Sequence, residues 1–342
     1  MRQSAEYLSD HRYIVRMQTA IANTVLSATG ARAISRATVI QSLWSGYGEI
    51  VRLDLEGGAH SSVILKHIKL PEPGGHPRGW NTGLSHQRKI HSYQVEARWY
   101  QDYAQRCDSD CPVPACLAVN AVEDETILVL TDLDAAGFDV RKERVEIEDI
   151  HACLEWLAGF HATYLGSPAG GLWECGTYWH LDTRPDELAA LEDLALRESA
   201  PLIDQQLRQC RYQTLVHGDA KLANFCFTAA TPEPAVAAVD FQYVGRGCGM
   251  KDVAYFIGSC LREQECEALE STLLGHYFSM LGQRVTEKQP GIDTAQLETE
   301  WRGLYDVAWA DFHRFLKGWS PGHWKINSYS ERLTRRVIER LQ

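Results

Sequence analysis

One change in the spacing of apolar residues constrains the fold more than any other feature of this chain. Between Ala37 and Leu70 the apolar residues come in short runs, and small turn residues interrupt these runs at Ser45–Gly48 and at Glu56–Ala59. This pattern predicts β-strands joined by tight turns. After Asp134 the apolar residues recur mainly at the spacing of helices. The sequence therefore predicts a sheet first and a set of helices afterwards.

Further segments fit the same division. Tyr13, Met17, Ile21 and Val25 are spaced as one face of a helix, and Gly30 suits its end. Residues 92–106 are predicted as a helix, and residues 114–122 and 126–133 as two strands. The predicted fold class is therefore α+β. An antiparallel sheet lobe covers residues 1–131, and a larger, mostly helical lobe covers residues 132–342.

Charge and composition exclude several classes of protein. The 342 residues include 34 Lys and Arg against 45 Asp and Glu, a formal net charge of −11. This balance disfavours a nucleic-acid-binding surface, which needs concentrated positive charge. No apolar run reaches the roughly 18 residues that a bilayer-spanning helix needs, so we expect no membrane association. The segment MRQSAEYLSDHRY has no signal-peptide pattern, and ten cysteines include no Cys-x-x-Cys pair. We expect a cytoplasmic protein with reduced thiols.

The segment Thr214–Phe227, TLVHGDAKLANFCF, places short polar residues between two apolar runs. Asp219 lies on a tight turn that contains glycine, Asn224 follows it by five residues, and Asp240 ends a later apolar strand. If the strands LVHGD and AVAAVDF lie side by side, these three side chains can converge. One carboxylate and one carboxamide suit Mg²⁺, and a second carboxylate can orient and deprotonate a hydroxyl group. These are the parts that phosphoryl transfer from a nucleotide requires.

The pattern H-G-D-x-x-x-x-N followed by D-F resembles the catalytic core of the aminoglycoside phosphotransferase and choline kinase superfamily. It corresponds to the H-R-D and D-F-G motifs of protein kinases. The downstream residues DFQ and GRGCGMKDVAYFI look most similar to the ecdysteroid-kinase-like branch. The resemblance implies a bilobal, protein-kinase-like fold that uses ATP and Mg²⁺. It also implies that Asp252, which precedes an apolar helix, braces the catalytic loop.

The resemblance assigns roles residue by residue. Asp219 matches the catalytic base, Asn224 and Asp240 match the Mg²⁺ ligands, and His217 matches the histidine that supports the loop. Gln242 stands where protein kinases have the glycine of D-F-G, which suggests a rigid segment. The alternative interpretation is a hairpin with incidental polar ends, in which His217 only packs.

Lys66 and Glu96 match the ion pair that fixes an ammonium group toward nucleotide phosphates in this superfamily. Lys66 lies in the apolar strand SVILKHI, and Glu96 belongs to the helix that follows, in an E-x-x-x-Y pattern with Tyr100. The alternative for Lys66 is an edge-strand lysine that faces solvent. The alternative for Glu96 is an ordinary exposed glutamate on a helix.

Two backbone segments complete the expected nucleotide site. Gly46 and Gly48 lie between two predicted strands, where backbone N–H groups could approach phosphates, although a plain hairpin turn explains them equally well. In the resembling family, the strand before the linker reads the purine edge through backbone groups, and this implies Leu130, Thr131 and Leu133. The chain contains no G-x-x-x-x-G-K-[ST] sequence, which argues against a P-loop fold.

The expected acceptor is a hydroxyl group of a small molecule: an amino alcohol, an aminoglycoside, a sugar or a hydrophobic alcohol. The aromatic segment 301–324 contains Asp306 and Asp311, and an aromatic box with an acid suits a cationic amine. A helical core stripe is the stronger interpretation of the same residues. Its members are Leu297, Trp301, Leu304, Tyr305, Ala308, Phe312, Phe315 and Leu316. Lys221 either touches the transferred phosphoryl group or is solvated.

The predicted function is an ATP- and Mg²⁺-dependent phosphotransferase with an alcohol acceptor. One alternative is a nucleotide-binding pseudokinase that acts as a regulator or scaffold. Another is a metal-dependent hydrolase, although the sequence lacks the His-rich ligand spacing that is usual for such sites.

Overall fold

The computed structural model describes residues 17, 19–43, 46–69, 83–122, 125–229 and 234–342. Tyr13 of the predicted first helix and Ser45 of the first predicted turn lie outside these residues. The described chain divides into two compact units. One contains the residues up to Gln105 together with Val113–Asp139, and the other contains Arg106–Pro112 and Val140–Gln342. We call them the sheet unit and the helical unit. The functional division of the chain at residue 131 stays a prediction.

The sheet unit is built on five antiparallel strands in the order β1-β2-β3-β5-β4. The strands are β1 (Ala33–Ser42), β2 (Gly48–Glu56), β3 (Ser62–Lys69), β4 (Cys116–Val122) and β5 (Glu125–Thr131), and two helices accompany them, α1 (Thr19–Thr29) and α2 (Gly83–Asp102). Gly30 ends α1 with a φ of 66°, in the left-handed region that a helix end prefers.

Alternating side chains give the sheet one buried face. Val51 and Leu53 of β2 and Val63 and Leu65 of β3 are fully buried, and they pack in one cluster with Val25 of α1. Strand alternation directs every second residue to the same face, which explains why these residues share one cluster.

The helical unit contains seven α-helices and four short strands among its described residues. The helices are α3 (Ile147–Tyr164), α4 (Pro185–Ala189), α5 (Leu194–Gln209), α6 (Met250–Cys260), α7 (Glu263–Lys288), α8 (Thr294–Trp319) and α9 (Ser328–Leu341). The strands are β6 (Thr214–Val216), β7 (Phe225–Phe227), β8 (Val236–Ala238) and β9 (Gly245–Gly247). Helix α8 is central, since α4, α5, α6, α7 and α9 all pack against it.

The aromatic residues of α8 are mainly core, as the stronger interpretation of the sequence predicted. Trp301, Tyr305, Phe312 and Phe315 are each at most 2% exposed. Leu304 is the one member of the predicted stripe that is only partly buried. A stripe of this width lets one helix contact neighbours on several sides, and this explains its central position.

The strand pairing in the helical unit differs from the pairing considered in the sequence. Strand β6, which leads into HGD, pairs with β9 and not with the strand before Asp240. Strand β8, which leads toward Asp240, pairs with β7, directly after Asn224. Two small ribbons therefore replace one hairpin. The side chains still approach one another, because the segments between the ribbons are linked, for example by the Val239 N–H, which donates to the Asn224 carbonyl at 3.0 Å.

The predicted α+β class is confirmed, with the antiparallel sheet in the N-terminal part of the chain and most helices in the C-terminal part. Among the described helices, none is long and apolar enough to span a bilayer.

We predict that Gly48→Ala destabilises the sheet unit more than Gly46→Ala does. Both glycines have positive φ, so alanine at either position should cost about 1–2 kcal/mol of unfolding free energy. A Cβ at Gly46 meets no atom within 4 Å, whereas a Cβ at Gly48 would lie 2.0 Å from the His67 carbonyl oxygen. The added clash should cost roughly 1–3 kcal/mol more. Urea unfolding of both variants tests this, and equal losses would contradict the expected clash.

Candidate active site

The loop that carries Asp219 runs from His217 to a 3₁₀ turn at Leu222–Asn224, and one buried carboxylate holds its start. Asp252 is fully buried near the beginning of α6. Its Oδ2 accepts the backbone N–H of His217, and its Oδ1 accepts the backbone N–H of Gly218 at 2.9 Å. It also accepts a hydrogen bond from His161 Nε2 at 3.2 Å. These bonds fix the loop backbone directly before Asp219.

Gly218 is required by the shape of this turn. Its φ is 80°, which L-residues rarely adopt, and a Cβ at this position would lie 2.1 Å from the Tyr243 carbonyl oxygen. The Gly218 carbonyl accepts the N–H of Tyr178 at 3.2 Å, so the loop is also tied to the segment before α4. The glycine of HGD therefore serves backbone geometry.

His217 is completely buried and acts on the loop rather than on solvent. Its Nδ1 accepts the backbone N–H of Asp219 at 3.2 Å, so its Nε2 is the donor to the Val239 carbonyl at 3.0 Å. The ring is therefore the neutral Nε2–H tautomer. It connects the backbone of Asp219 to the residue before Asp240, and this geometry is that of a positioning residue.

The Asp219 carboxylate is 6% exposed and accepts three hydrogen bonds. Oδ1 accepts from the Tyr255 hydroxyl at 3.0 Å, while Oδ2 accepts from Lys221 Nζ at 2.8 Å and from Asn224 Nδ2 at 3.2 Å. Burial raises the pKa of Asp219, the Lys221 ammonium opposes this, and the nearby Asp240 carboxylate adds to the rise. A carboxylate with a raised pKa and fixed orientation is suited to accept a proton.

Asn224 and Asp240 supply the other two oxygen-bearing side chains. Asn224 uses Nδ2 to donate to the Asp219 backbone carbonyl at 2.8 Å as well as to its carboxylate. No described residue donates to Asn224 Oδ1. Asp240 has a φ of 70°, unusual for aspartate, and its Oδ1 accepts from Gln242 Nε2 at 2.6 Å. Gln242, the residue that stands in place of the glycine of D-F-G, therefore orients the Asp240 carboxylate.

The set of oxygens fits a hard divalent cation. A carboxamide oxygen and a carboxylate oxygen lie beside a second carboxylate, and Asp240 is close enough for its charge to raise the pKa of Asp219. Mg²⁺ prefers such oxygen ligands and keeps part of its shell for water or phosphate oxygens. A cation here would also reduce the repulsion between the Asp219 and Asp240 carboxylates. The three predicted side chains are thus brought together, and their roles stay predictions.

The face of α6 that contacts the loop carries three polar residues that sequence reasoning only partly found. Asp252, Tyr255 and Ser259 are spaced at i, i+3 and i+7, which places them on one helix face. Tyr255 donates to the Asp219 carboxylate, and the Ser259 hydroxyl accepts the N–H of Leu222 at 3.1 Å. The resemblance pointed to Asp252. The polar stripe in an otherwise apolar helix is the signal that could have found the other two.

In the sheet unit, Lys66 and Glu96 form the ion pair that the sequence predicted. Lys66 is 5% exposed in β3, and Glu96 is 1% exposed in α2, so neither faces solvent as the alternatives required. Lys66 Nζ donates to Glu96 Oε1 at 2.8 Å. The pairing offsets the cost of desolvating the Lys66 ammonium group and fixes its direction.

Gly46 and Gly48 form the first of the two predicted backbone segments, and both lie in the sheet unit. Gly48 begins β2, and its carbonyl accepts the N–H of Leu43 at 2.7 Å, while the Gly46 N–H donates to the Leu43 carbonyl at 3.2 Å. These bonds join the end of β1 to the start of β2, as in a hairpin, and contact with phosphate stays a prediction.

The predicted purine-reading segment already uses several of its backbone groups. Leu130 pairs with Ile64 of β3, and the Thr131 N–H donates to the Ala115 carbonyl at 3.0 Å. The Leu133 carbonyl accepts the N–H of Phe138 at 2.9 Å. A purine would have to share these groups, so contact at Leu130, Thr131 and Leu133 stays a prediction.

The segment after β5 is anchored by charges that the sequence analysis missed. Arg52 Nε donates to Asp132 Oδ2 at 2.7 Å, and its Nη2 also contacts Asp134. The Ser62 hydroxyl donates to the same Asp132 oxygen at 2.7 Å. These contacts join β2 and β3 to the chain that leaves the sheet. Their sequence separation explains why spacing alone could not reveal them.

A second buried polar cluster lies elsewhere in the helical unit. Cys175, His180 and Asp204 offer ligand atoms that all lie within 4.8 Å of one another. Although burial alone would lower it, the neighbouring Asp204 and Cys175 groups raise the pKa of His180 to about 9. Lys251 Nζ lies 3.6 Å from Cys175 Sγ, and Arg208 lies 3.5 Å from Asp204. Neighbouring cations therefore balance the negative groups of this cluster.

Comparison with known proteins places the chain in a family. Residues 58–288, more than half of the chain, match the sequence profile of APH, the phosphotransferase enzyme family. The chain belongs to this family, and the predicted enzyme class, a small-molecule phosphotransferase, is confirmed. The narrower resemblance to the ecdysteroid-kinase-like branch stays a prediction. A comparison with curated proteins gave no match.

Solved structures of several kinases are similar over nearly the whole chain. A microcompartment-associated aminopropanol kinase has 16% identity and a TM-score of 0.48, covering 94% of each chain. A thermostable mutant of aminoglycoside phosphotransferase APH(4)-Ia, in a ternary complex with ADP and hygromycin B, has 12% identity and a TM-score of 0.45, covering 94% of this chain and 98% of that one. Choline kinase LicA from Streptococcus pneumoniae has 11% identity and a TM-score of 0.44, covering 94% and 96%. Similarity at this level carries no argument about ligands.

We predict that Asp252→Asn destabilises the helical unit strongly. An asparagine has one acceptor oxygen, so it leaves at least one of the two buried loop N–H groups unpaired, at a cost on the order of 3 kcal/mol of unfolding free energy. Tyr277→Phe is the matched control, because it removes the other partner of His161, at 2.8 Å, without touching the loop. Denaturant unfolding measures both. A loss for Asp252→Asn no larger than that for Tyr277→Phe would show that Asp252 does not brace the loop.

Proposed function

We propose that this protein transfers the γ-phosphoryl group of ATP to a hydroxyl group of a small molecule in a Mg²⁺-dependent reaction. The observation that carries this proposal is the convergence of Asp219, Asn224 and Asp240 around a loop that Asp252 holds rigidly. Family membership supports the phosphotransferase class. The nucleotide, the metal and the acceptor are the parts that the experiments below test.

Asp219 is the proposed general base. The acceptor oxygen forms a bond to the γ-phosphorus of ATP while the bond from that phosphorus to the β,γ-bridging oxygen breaks. The hydroxyl proton passes to an Asp219 oxygen, and ADP leaves with the bridging oxygen. Tyr255, Lys221 and Asn224 hold the carboxylate in one orientation. A positioned base of this kind contributes typically 10²–10⁴-fold in rate.

Asn224 and Asp240 are the residues that would hold Mg²⁺. The bound ion would neutralise negative charge on the phosphate oxygens. Gln242 keeps the Asp240 carboxylate in place through its hydrogen bond. Asn224 directs Nδ2 toward Asp219, so its Oδ1 is the atom that remains as a ligand.

Lys66 is the proposed contact to nucleotide phosphates in the sheet unit. Its position supports this role, because a lysine this deeply buried in an apolar strand needs a reason to be retained. Glu96 holds the ammonium group in a fixed direction. The glycines of the turn between β1 and β2 are proposed to offer backbone N–H groups.

We predict that Asp219→Asn and Asp240→Asn fail in different ways. Asp219→Asn should lower ADP release with an alcohol acceptor by about 10²–10⁴-fold, because the base is lost, and it should keep the thermal stabilisation that Mg·ATP gives. Asp240→Asn should lose that Mg²⁺-dependent stabilisation. A panel of amino alcohols, aminoglycosides, sugars and hydrophobic alcohols supplies the acceptor.

Asp306→Asn serves as the control, since Asp306 pairs with Arg336 and Arg340 and with no residue of the candidate site that the structure describes. If wild type binds Mg·ATP but releases no ADP with any acceptor, the protein is a pseudokinase instead. If Asp240→Asn keeps the full Mg²⁺-dependent stabilisation, Asp240 is not a metal ligand.

We predict that Lys66→Met weakens ATP binding by at least about tenfold, because it removes a charge–phosphate contact. The variant also leaves Glu96 buried without its partner, which is destabilising by itself. The double variant Lys66→Met, Glu96→Leu removes both charges and should regain stability while ATP binding remains weak. Calorimetry of ATP binding and thermal unfolding separate the two effects. Normal ATP affinity in the double variant would exclude Lys66 from the nucleotide site.

A further inference from the structure

Lys325 lies in the segment between α8 and α9 and is held by aromatic rings. Its side chain is buried, with 8% of the residue exposed. The ammonium nitrogen lies 4.7 Å from the ring centroid of Tyr255, 5.4 Å from that of Phe312 and 5.6 Å from that of Trp324. Rings stabilise a cation through their negative faces. Tyr255, Phe312 and Trp324 therefore form an aromatic box, and a cation of the chain itself occupies it.

This ammonium group has no anionic partner in the part of the chain that the structure describes. No carboxylate of those residues lies within ion-pair distance of Lys325 Nζ, unlike the two other buried lysines, Lys66 and Lys251. Burial lowers the pKa of Lys325 to about 8, even though Cys260 and Asp219 act in the opposite direction. Maintaining a cation under these conditions costs free energy. A bound anion would offset this cost, because its negative charge stabilises the ammonium group.

The ammonium group and the candidate base both contact Tyr255. The Tyr255 hydroxyl donates to Asp219 Oδ1 at 3.0 Å, and the face of its ring contacts the Lys325 ammonium group. The charge of Asp219 acts on the pKa of Lys325, and so does that of Lys221. All of these residues belong to the helical unit. A molecule whose hydroxyl reaches Asp219 can therefore place a second group near Lys325.

The two acids that suggested a cationic acceptor are engaged elsewhere. Asp311 is fully buried, where it pairs with Arg314 at 2.6 Å and accepts from Trp179 Nε1 at 3.0 Å. Asp306 contacts Arg336 and Arg340. An amine in the aromatic box would meet a like charge without a compensating acid. The arrangement disfavours an amine at this position and favours an acid.

We propose that Lys325 binds a carboxylate group of the acceptor, so that the substrate is a small hydroxy acid phosphorylated on its hydroxyl group. This inference rests on the proposed function and names its acceptor class. One buried lysine balances the single charge of a carboxylate, whereas a phosphate group would bring nearly two charges. Lys325 is then a specificity-determining residue. Its loss should affect acceptor binding more than the transfer step.

The test uses acceptor pairs that differ only by a carboxylate. Suitable pairs are threonine with 1-amino-2-propanol, serine with ethanolamine, lactate with ethanol, and glycerate with ethylene glycol. ADP release gives kcat and KM for each member. At least one acid should exceed its partner by about tenfold or more in kcat/KM, because a site built to pair with a group rejects an analogue that lacks it.

The variants show whether Lys325 causes this preference. In Lys325→Met, the kcat/KM values for the acid and for its partner that lacks the carboxylate should differ by no more than about threefold, chiefly because KM for the acid rises. Lys325→Arg should restore part of the preference for the acid. Lys288→Met is the control, because Lys288 pairs with Asp108 and Asp110 away from this box, and it should leave the ratio unchanged. If Lys325→Met does not fold, Lys325→Gln takes its place.

Measuring the binding of the acids directly tests the role of Lys325 independently of phosphoryl transfer. Calorimetry with the same acids should show binding to wild type and at least about tenfold weaker binding to Lys325→Met, with or without turnover. Preference for the non-acidic members, or an equal loss of kcat for both members in Lys325→Met, would overturn the inference while the phosphotransferase stands. Binding of the acids without ADP release would overturn the proposed function and leave only the binding of a carboxylate by Lys325. Absence of both overturns both.

Discussion

The candidate site depends above all on one buried carboxylate. Asp252 accepts the backbone N–H groups of His217 and Gly218, and no water is needed to satisfy these donors. Because Asp252 belongs to α6, the position of its carboxylate is as rigid as the helix itself. Tyr255 and Ser259 on the same face extend the contact along the loop. The loop that presents Asp219 is thus attached to a helix over most of its length, and this gives the carboxylate a defined direction before any ligand binds.

The groups around Asp219 influence its pKa in opposite directions. Burial and the neighbouring Asp240 carboxylate raise its pKa, whereas Lys221 and the hydrogen-bond donors stabilise the charged form. A base must be ionised to act, yet it must also hold a proton readily once it receives one. A carboxylate with this balance meets both needs. The donors that fix its orientation also favour its charged form.

Lys325 changes the interpretation of the aromatic residues. Taken as sequence, the aromatic segment suited either a core stripe or a box for a cationic amine. Phe312 belongs to the core, and it also lies under the Lys325 ammonium, so one ring serves both purposes. The net charge of the whole chain is −11, but nearby charges decide recognition at short range, and the group inside the aromatic box is a cation.

The sequence by itself determined the order of sheet and helices, the apolar stripe of α8, and the types of side chain at the candidate site. It did so because residue spacing reports which face of an element is buried. Glu96, Asp219 and Asn224 were found in this way or through the family pattern. Only the tertiary structure decided that β6 pairs with β9, that Arg52 anchors Asp132, and that Lys325 lies over Tyr255. Each of these contacts joins segments far apart in the chain. Spacing along one segment carries no information about which distant segment will cover it.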